Sequence, residues 1–121
     1  MAKASRFTNG IVVRAGRPNA AGSSTGETKI SSIRYYTFTC DPAQLAATTT
    51  AEETFTVTGL LAGDIVLSVN KPTHTANFGI ANARVSADNT LALTFINPNA
   101  GTSNPGPETW GVTVMTATAN A

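Results

Sequence analysis

One cysteine, one histidine and one tryptophan occur in 121 residues. With Cys40 alone, no intrachain disulfide can form, so redox stapling does not hold this chain together. Cys40 ends the run IRYYTFTC and reads as a small buried apolar group. His74 sits in Lys-Pro-Thr-His-Thr, with no carboxylate or thiol beside it. Nucleophilic triads and zinc sites need such partners, so His74 reads as a solvent-loop residue. Charged residues make up 12% of the chain, about half the usual share. No apolar run is long enough to span a membrane, and none within residues 1–20 is long enough for a signal peptide. No Asn-X-Ser/Thr acceptor, no phosphate-cradling glycine pattern and no DxDxDG-type calcium loop occurs. Neither a repeat of 20–50 residues nor a heptad pattern is present. The expectation is a protein without enzymatic chemistry, with no cofactor and no metal, and with no membrane contact.

What the chain does have is alternation. Phe55 and Val57 alternate with Thr54, Thr56 and Thr58. Ile65, Leu67 and Val69 alternate with Val66 and Ser68. Ala81, Ala83 and Val85 alternate with Asn82, Arg84 and Ser86. Leu91, Leu93 and Phe95 alternate with Ala92 and Thr94, and Trp110, Val112 and Val114 with Gly111, Thr113 and Met115. Successive strand side chains point to opposite faces, so this period places one face in a core and the other outside. Ahead of these, Ile33–Cys40 reads as a strand with Tyr36, Phe38 and Cys40 inward. Trp110 shares the phase of Val112 and Val114, which makes it a core residue rather than a sugar-stacking one.

Breakers separate the runs. Asp41-Pro42 stops the first strand. Pro42–Ala47 suits one helical turn, and Thr48–Thr50 suits extended chain. Gly59–Asp64 turns the chain, with Leu60 or Leu61 plugging the core. Ala87-Asp88-Asn89 reads as a three-residue hairpin turn with a left-handed Asn. Asn97–Glu108 is the longest loop. Glu52 and Glu53 are adjacent, hence on opposite faces, and do not form a carboxylate pair. The fold class is therefore all-β: a small antiparallel β-sandwich or jelly-roll-like barrel, residues 33–121, behind an extended basic N-terminal arm, residues 1–32.

Net charge is +1 but unevenly spread. Residues 1–34 carry six basic side chains against Glu27, a net of +5, and residues 35–121 carry a net of −4. A basic segment ahead of an acidic body suits docking on an acidic surface or on nucleic acid. The interleaved aromatics that single-stranded nucleic acid wants are missing, so direct nucleic-acid binding is not expected. The candidate partner-binding residues are Lys3, Arg6, Arg14 and Arg17 with the apolar triplet Ile11, Val12 and Val13. That triplet suits either addition to another chain's sheet edge or pairing within its own domain.

The strings TFTVTGLLAGDIVLSVNKP, GIANARVSADNTLALTFINPNAG and ETWGVTV together resemble a β-sandwich module of bacteriophage structural proteins. The resemblance runs from Phe55 to Val114, about half the chain. Its hallmarks are the FTVTGL-x-x-GD corner, the ARVSA-x-NTL-x-L-x-F-x-N hairpin and a last strand after a Pro/Gly-rich loop. It implies a structural protein of the virion, most like a head decoration or cement protein. Such a protein is made in the host bacterial cytoplasm and binds the outer surface of the capsid. It would be a homotrimer whose arms reach onto the major capsid protein and brace the shell against internal DNA pressure. A tail or fibre component binding host surface glycans, through loops 70–77 and 97–108, is the alternative. An accessory module of a carbohydrate-active enzyme is the third.

Overall fold

Alternating segments become seven strands in the computed structural model, which describes residues 13–14 and 28–119. They are β1 (Val13–Arg14), β2 (Thr28–Cys40), β3 (Thr49–Thr56), β4 (Ile65–Asn70), β5 (Gly79–Ala87), β6 (Thr90–Asn97) and β7 (Glu108–Ala119). One sheet has the order β1-β2-β7-β4 and the other β3-β6-β5, with every neighbouring pair antiparallel. All connections from β2 onward cross between the sheets except the β5–β6 hairpin. The outer strands nest around the inner ones: β2 pairs with β7, and β3 with β6. This is a jelly-roll-like winding of a small β-sandwich, the expected all-β class.

The core lies between the sheets. Phe38, Trp110, Val112 and Val114 come from the first sheet, and Leu91, Leu93 and Phe95 from the second. Phe95 and Trp110 meet edge-on with ring centroids 6.0 Å apart, and Phe38, Phe55 and Phe78 pack around them at 5.0–6.4 Å. Such offset and edge-on pairs suit the ring quadrupoles. Leu60, fully buried, closes the end near the Gly59–Asp64 corner, whereas Leu61 is exposed.

Several local expectations change. Strand phase in β4 is broken by a bulge between Val66 and Ser68, opposite Val114 and Thr113. A bulge leaves one residue unpaired and shifts the phase of the residues after it. Val66 and Val69 consequently face the core, while Ile65 and Leu67 are exposed. A bulge between Ile80 and Asn82 does the same in β5, so Ile80, Ala83 and Val85 pack on the core and Ala81 does not. The segment after Pro42 forms no helical turn. It runs extended, and Leu45 exchanges backbone hydrogen bonds of 2.7 and 2.9 Å with Ser103. The buried Asn97 amide locks this crossing by donating to the carbonyls of Leu45, Ala46 and Gly101. The β5–β6 ladder closes at Ala87 and Thr90, leaving a turn of two residues, Asp88 and Asn89, rather than three. Asn89 is left-handed as expected, with φ 61°.

The domain also starts earlier than Ile33. Thr28–Ser32 belong to β2, because Thr28, Lys29 and Ile30 pair with Ala119, Thr118 and Ala117 across a bulge at Ser31. Lys29 therefore joins Arg34 in the sandwich, and the segment ahead of β2, residues 1–27, carries four basic residues against Glu27, a net of +3.

Candidate partner-binding surfaces

Two of the seven sequence-predicted binding residues fall in the described part of the chain. Val13 and Arg14 form β1, opposite Ile30 and Lys29 on the outer edge of β2. For Val13, the pairing is thus within its own chain. Lys3, Arg6, Ile11, Val12 and Arg17 lie outside the described residues.

Two of the three stretches that carry the resemblance come together at one end of the sandwich. Asn89 O accepts from Val57 N, Asn89 N donates to Leu60 O, and the Asn89 side chain accepts from Gly59 N. Asp88 Oδ1 accepts from Ala62 N at 2.8 Å. The hairpin tip thus clamps the corner that precedes β4. Gly59 takes φ +110° there, and a Cβ at this position would lie only 2.9 Å from the Tyr36 ring.

Beneath this corner sits a polar cluster that the strand pattern did not announce. Arg34 Nη2 donates to Asp64 Oδ2 at 2.7 Å and to Thr116 Oγ1 at 2.7 Å. Thr116 in turn donates to Asp64 Oδ1 at 2.7 Å, and Leu61 N donates to Asp64 Oδ2 at 3.0 Å. Arg34 Nη1 reaches Tyr36 OH at 2.6 Å and Gly59 O at 3.0 Å. The Asp64 side chain is 1% exposed and that of Arg34 29%. A buried carboxylate needs such partners, since burying it alone is costly. The available signal was phase: Arg34 shares the inward phase of Tyr36, Phe38 and Cys40, so its charge had to find a partner inside.

The remaining titratable groups are structural in their contacts. Lys71 Nζ donates to Glu108 Oε1 at 2.9 Å and lies 5.8 Å from the Trp110 ring centroid. Hydrogen bonds from Lys71, and secondarily from Thr73, hold the Glu108 carboxyl below its usual range. Arg84 grips Glu52 with two bonds of 2.8 Å across β6, and this holds the Glu52 carboxyl down. Burial, aided by Glu53, Asp41 and Glu108, pushes the Cys40 thiol up to about 12. His74 is exposed. Among the described residues, no group of three or more His, Cys, Asp or Glu side chains is placed to hold a metal ion. No helix there is long and apolar enough to cross a membrane. An open cleft of about 390 Å³ runs between the edges of β4 and β5, lined by Val66–Val69 and Ile80–Ala83.

The two outer faces differ sharply. The outer face of β3-β6-β5 carries Thr50, Glu52, Thr54, Thr94, Asn82, Arg84 and Ser86, a mostly polar set beside the exposed Ile96. The outer face of β2-β7-β4 has no charged residue along Ile33–Thr39, Thr109–Met115 and Ile65–Asn70. Its register lines up Ile33, Met115 and Ile65 directly across three strands, with Tyr35, Thr113 and Ser68 in the next row. Ile33, Tyr35 and Ile65 are exposed. Comparison of the chain with known protein families, curated proteins and solved structures yields no match.

Proposed function

We propose that this chain is a bacteriophage head decoration protein, which binds the outside of the capsid and braces the shell mechanically. The supporting observation is the division of labour along the chain. A segment of net +3, residues 1–27, precedes a sandwich in which three ion pairs are already satisfied internally. The basic segment is then the part richest in positive charge to offer an acidic partner. Exposed charges steer and hold a protein on an oppositely charged surface, and salt screens them over about 8 Å. The partner is the major capsid protein, the protein acts as a homotrimer, and many copies add contact area across the joints between capsid subunits. The residues that carry the phage resemblance support this reading, because its corner and its hairpin form one hydrogen-bonded unit.

Cryo-EM of virions that carry this chain is the test. Sandwich-shaped density over the joints of the head, outside the shell, is the expected result. Density confined to a tail or fibre would overturn the reading in favour of host-surface binding.

A further inference from the structure

We infer that the outer face of β2-β7-β4 is the surface through which copies of this chain pack on one another. This rests on the self-association proposed above and adds where the copies meet; it does not rest on capsid binding. Three observations carry it. First, the face holds a straight apolar row, Ile33–Met115–Ile65, with exposed Tyr35 beside it. Second, the face is continuous across its middle strand. Tyr35 lies against the backbone of Gly111, filling the place a β-carbon would take there, so the ring covers the gap in the middle strand. Sheet faces pack on one another about 10 Å apart.

Third, charge selects the occupant. Residues 28–119 carry Lys29, Arg34, Lys71 and Arg84 against six carboxylates, a net of −2. Those carboxylates lie elsewhere: Glu52 on the opposite outer face, Asp88 at the hairpin tip, Asp64 within the core, and Asp41, Glu53 and Glu108 where β2, β3 and β7 approach the other end. Two identical, net-acidic bodies repel when charged surfaces meet. On this face no like charges are opposed and no ion is stripped of water. A strongly charged partner would find nothing here to pair with.

Size sets the strength. Three strands about 4.8 Å apart and eight residues at about 3.3 Å each give roughly 380 Å² of projected face. That is below the about 800 Å² per partner of a standard stable interface, so association is weak and concentration-dependent.

The experiment is light scattering on the full chain from about 10 to about 300 µM, a range that brackets weak association. Three proteins are compared: wild type, Ile33→Glu/Ile65→Glu, and Thr54→Glu/Ser86→Glu on the opposite face. A weight-average mass that rises with concentration above the 12.4 kDa of one chain is expected for wild type and for the opposite-face variant. The outer-face variant should need at least tenfold higher concentration for the same mass. Tyr35→Ser, a milder change, should shift the midpoint in the same direction, and Trp110 fluorescence checks that every variant is folded. A wild type that stays monomeric throughout overturns self-association itself. An associating wild type whose mass is unchanged by the outer-face substitutions overturns only this face. If the outer-face variant keeps its mass but loses capsid binding, the face docks on the shell instead, and the inference is wrong.

Discussion

Replacing Asp64 with Ala should destabilise the sandwich by about 3–5 kcal/mol, the range for breaking a buried ion pair from one side. The carboxylate is almost wholly buried and accepts from Arg34, Thr116 and Leu61 N at 2.7–3.0 Å. Its loss leaves a guanidinium, a hydroxyl and a backbone amide without their acceptor. Arg34 is partly exposed and still bonds Tyr36 and Gly59, so water and those groups recover some of the loss. This places the effect toward the lower end. About 3 kcal/mol is still a factor of more than 100 in the folding equilibrium, large against a typical total of about 5–15 kcal/mol. Thr116→Ala removes only one bridge and should cost about 1–2 kcal/mol. Because all three residues share one network, the double variant should cost less than the sum of the single ones, by about 0.5–3 kcal/mol. Denaturant titration read by Trp110, the sole tryptophan and a fully buried one, measures all of this. An Asp64→Ala protein within about 1 kcal/mol of wild type would refute the idea that this cluster anchors the corner.

Phe95→Ala empties the meeting point of three aromatic rings and should cost about 3–5 kcal/mol, whereas Thr94→Ala on the outer face should cost well under about 1; equal effects in denaturant melts would mean the phase of β6 is misassigned. Gly59→Ala combines φ +110° with a clash against Tyr36, which is itself held by Arg34, and should cost about 3 kcal/mol. Gly63→Ala meets open space and carries only the backbone strain of φ +91°, about 1–2 kcal/mol, so thermal melts should rank the two clearly. The Cys40 thiol should resist alkylation at pH 8 in the folded protein and react once it is unfolded, as mass spectrometry can show. Its folded pKa of about 12 lies above the ordinary 9.0, so its contribution to stability is complete below pH 9 and is lost as pH rises toward 12. Cys40→Ala should flatten that alkaline limb, and an unchanged limb would assign it to other groups.

Alternation was enough to read β6 and β7, because Leu91, Leu93, Phe95, Trp110, Val112 and Val114 keep strict phase against one hydrophobic interior. It failed at Ile65, Leu67 and Ala81, where one-residue bulges reset the phase. A bulge leaves no mark in the hydrophobic pattern when both phases are apolar, as in Ile65–Val69. The helical turn expected after Pro42 was overridden by tertiary hydrogen bonding, with Asn97 reaching across about fifty residues to hold Leu45 and Ala46. Of the two proposed binding surfaces, the basic arm was legible as charge. The uncharged outer face was not, because it is assembled from β2, β7 and β4, and its pattern appears only when three distant segments are laid side by side. Arg34 counts toward the +5 of residues 1–34 because it lies near other basic residues in sequence. Its inward phase on β2 places it instead against Asp64.

Residues 1–27 are proposed to hold this protein on a capsid while the sandwich supplies a rigid body. Co-sedimentation with capsids stripped of their decoration tests this most directly, using wild type, a protein lacking residues 1–27, and Arg6→Ser/Arg14→Ser/Arg17→Ser, each at low and high salt. The shortened protein should remain folded, since the deletion takes away only the two-residue edge strand β1 and leaves β2 and the buried core cluster intact. It should lose most of its capsid binding. The arginine variant should bind more weakly than wild type at low salt and show a flatter salt dependence. A folded protein without residues 1–27 that still coats capsids to the wild-type level would contradict the claim and assign attachment to the sandwich itself.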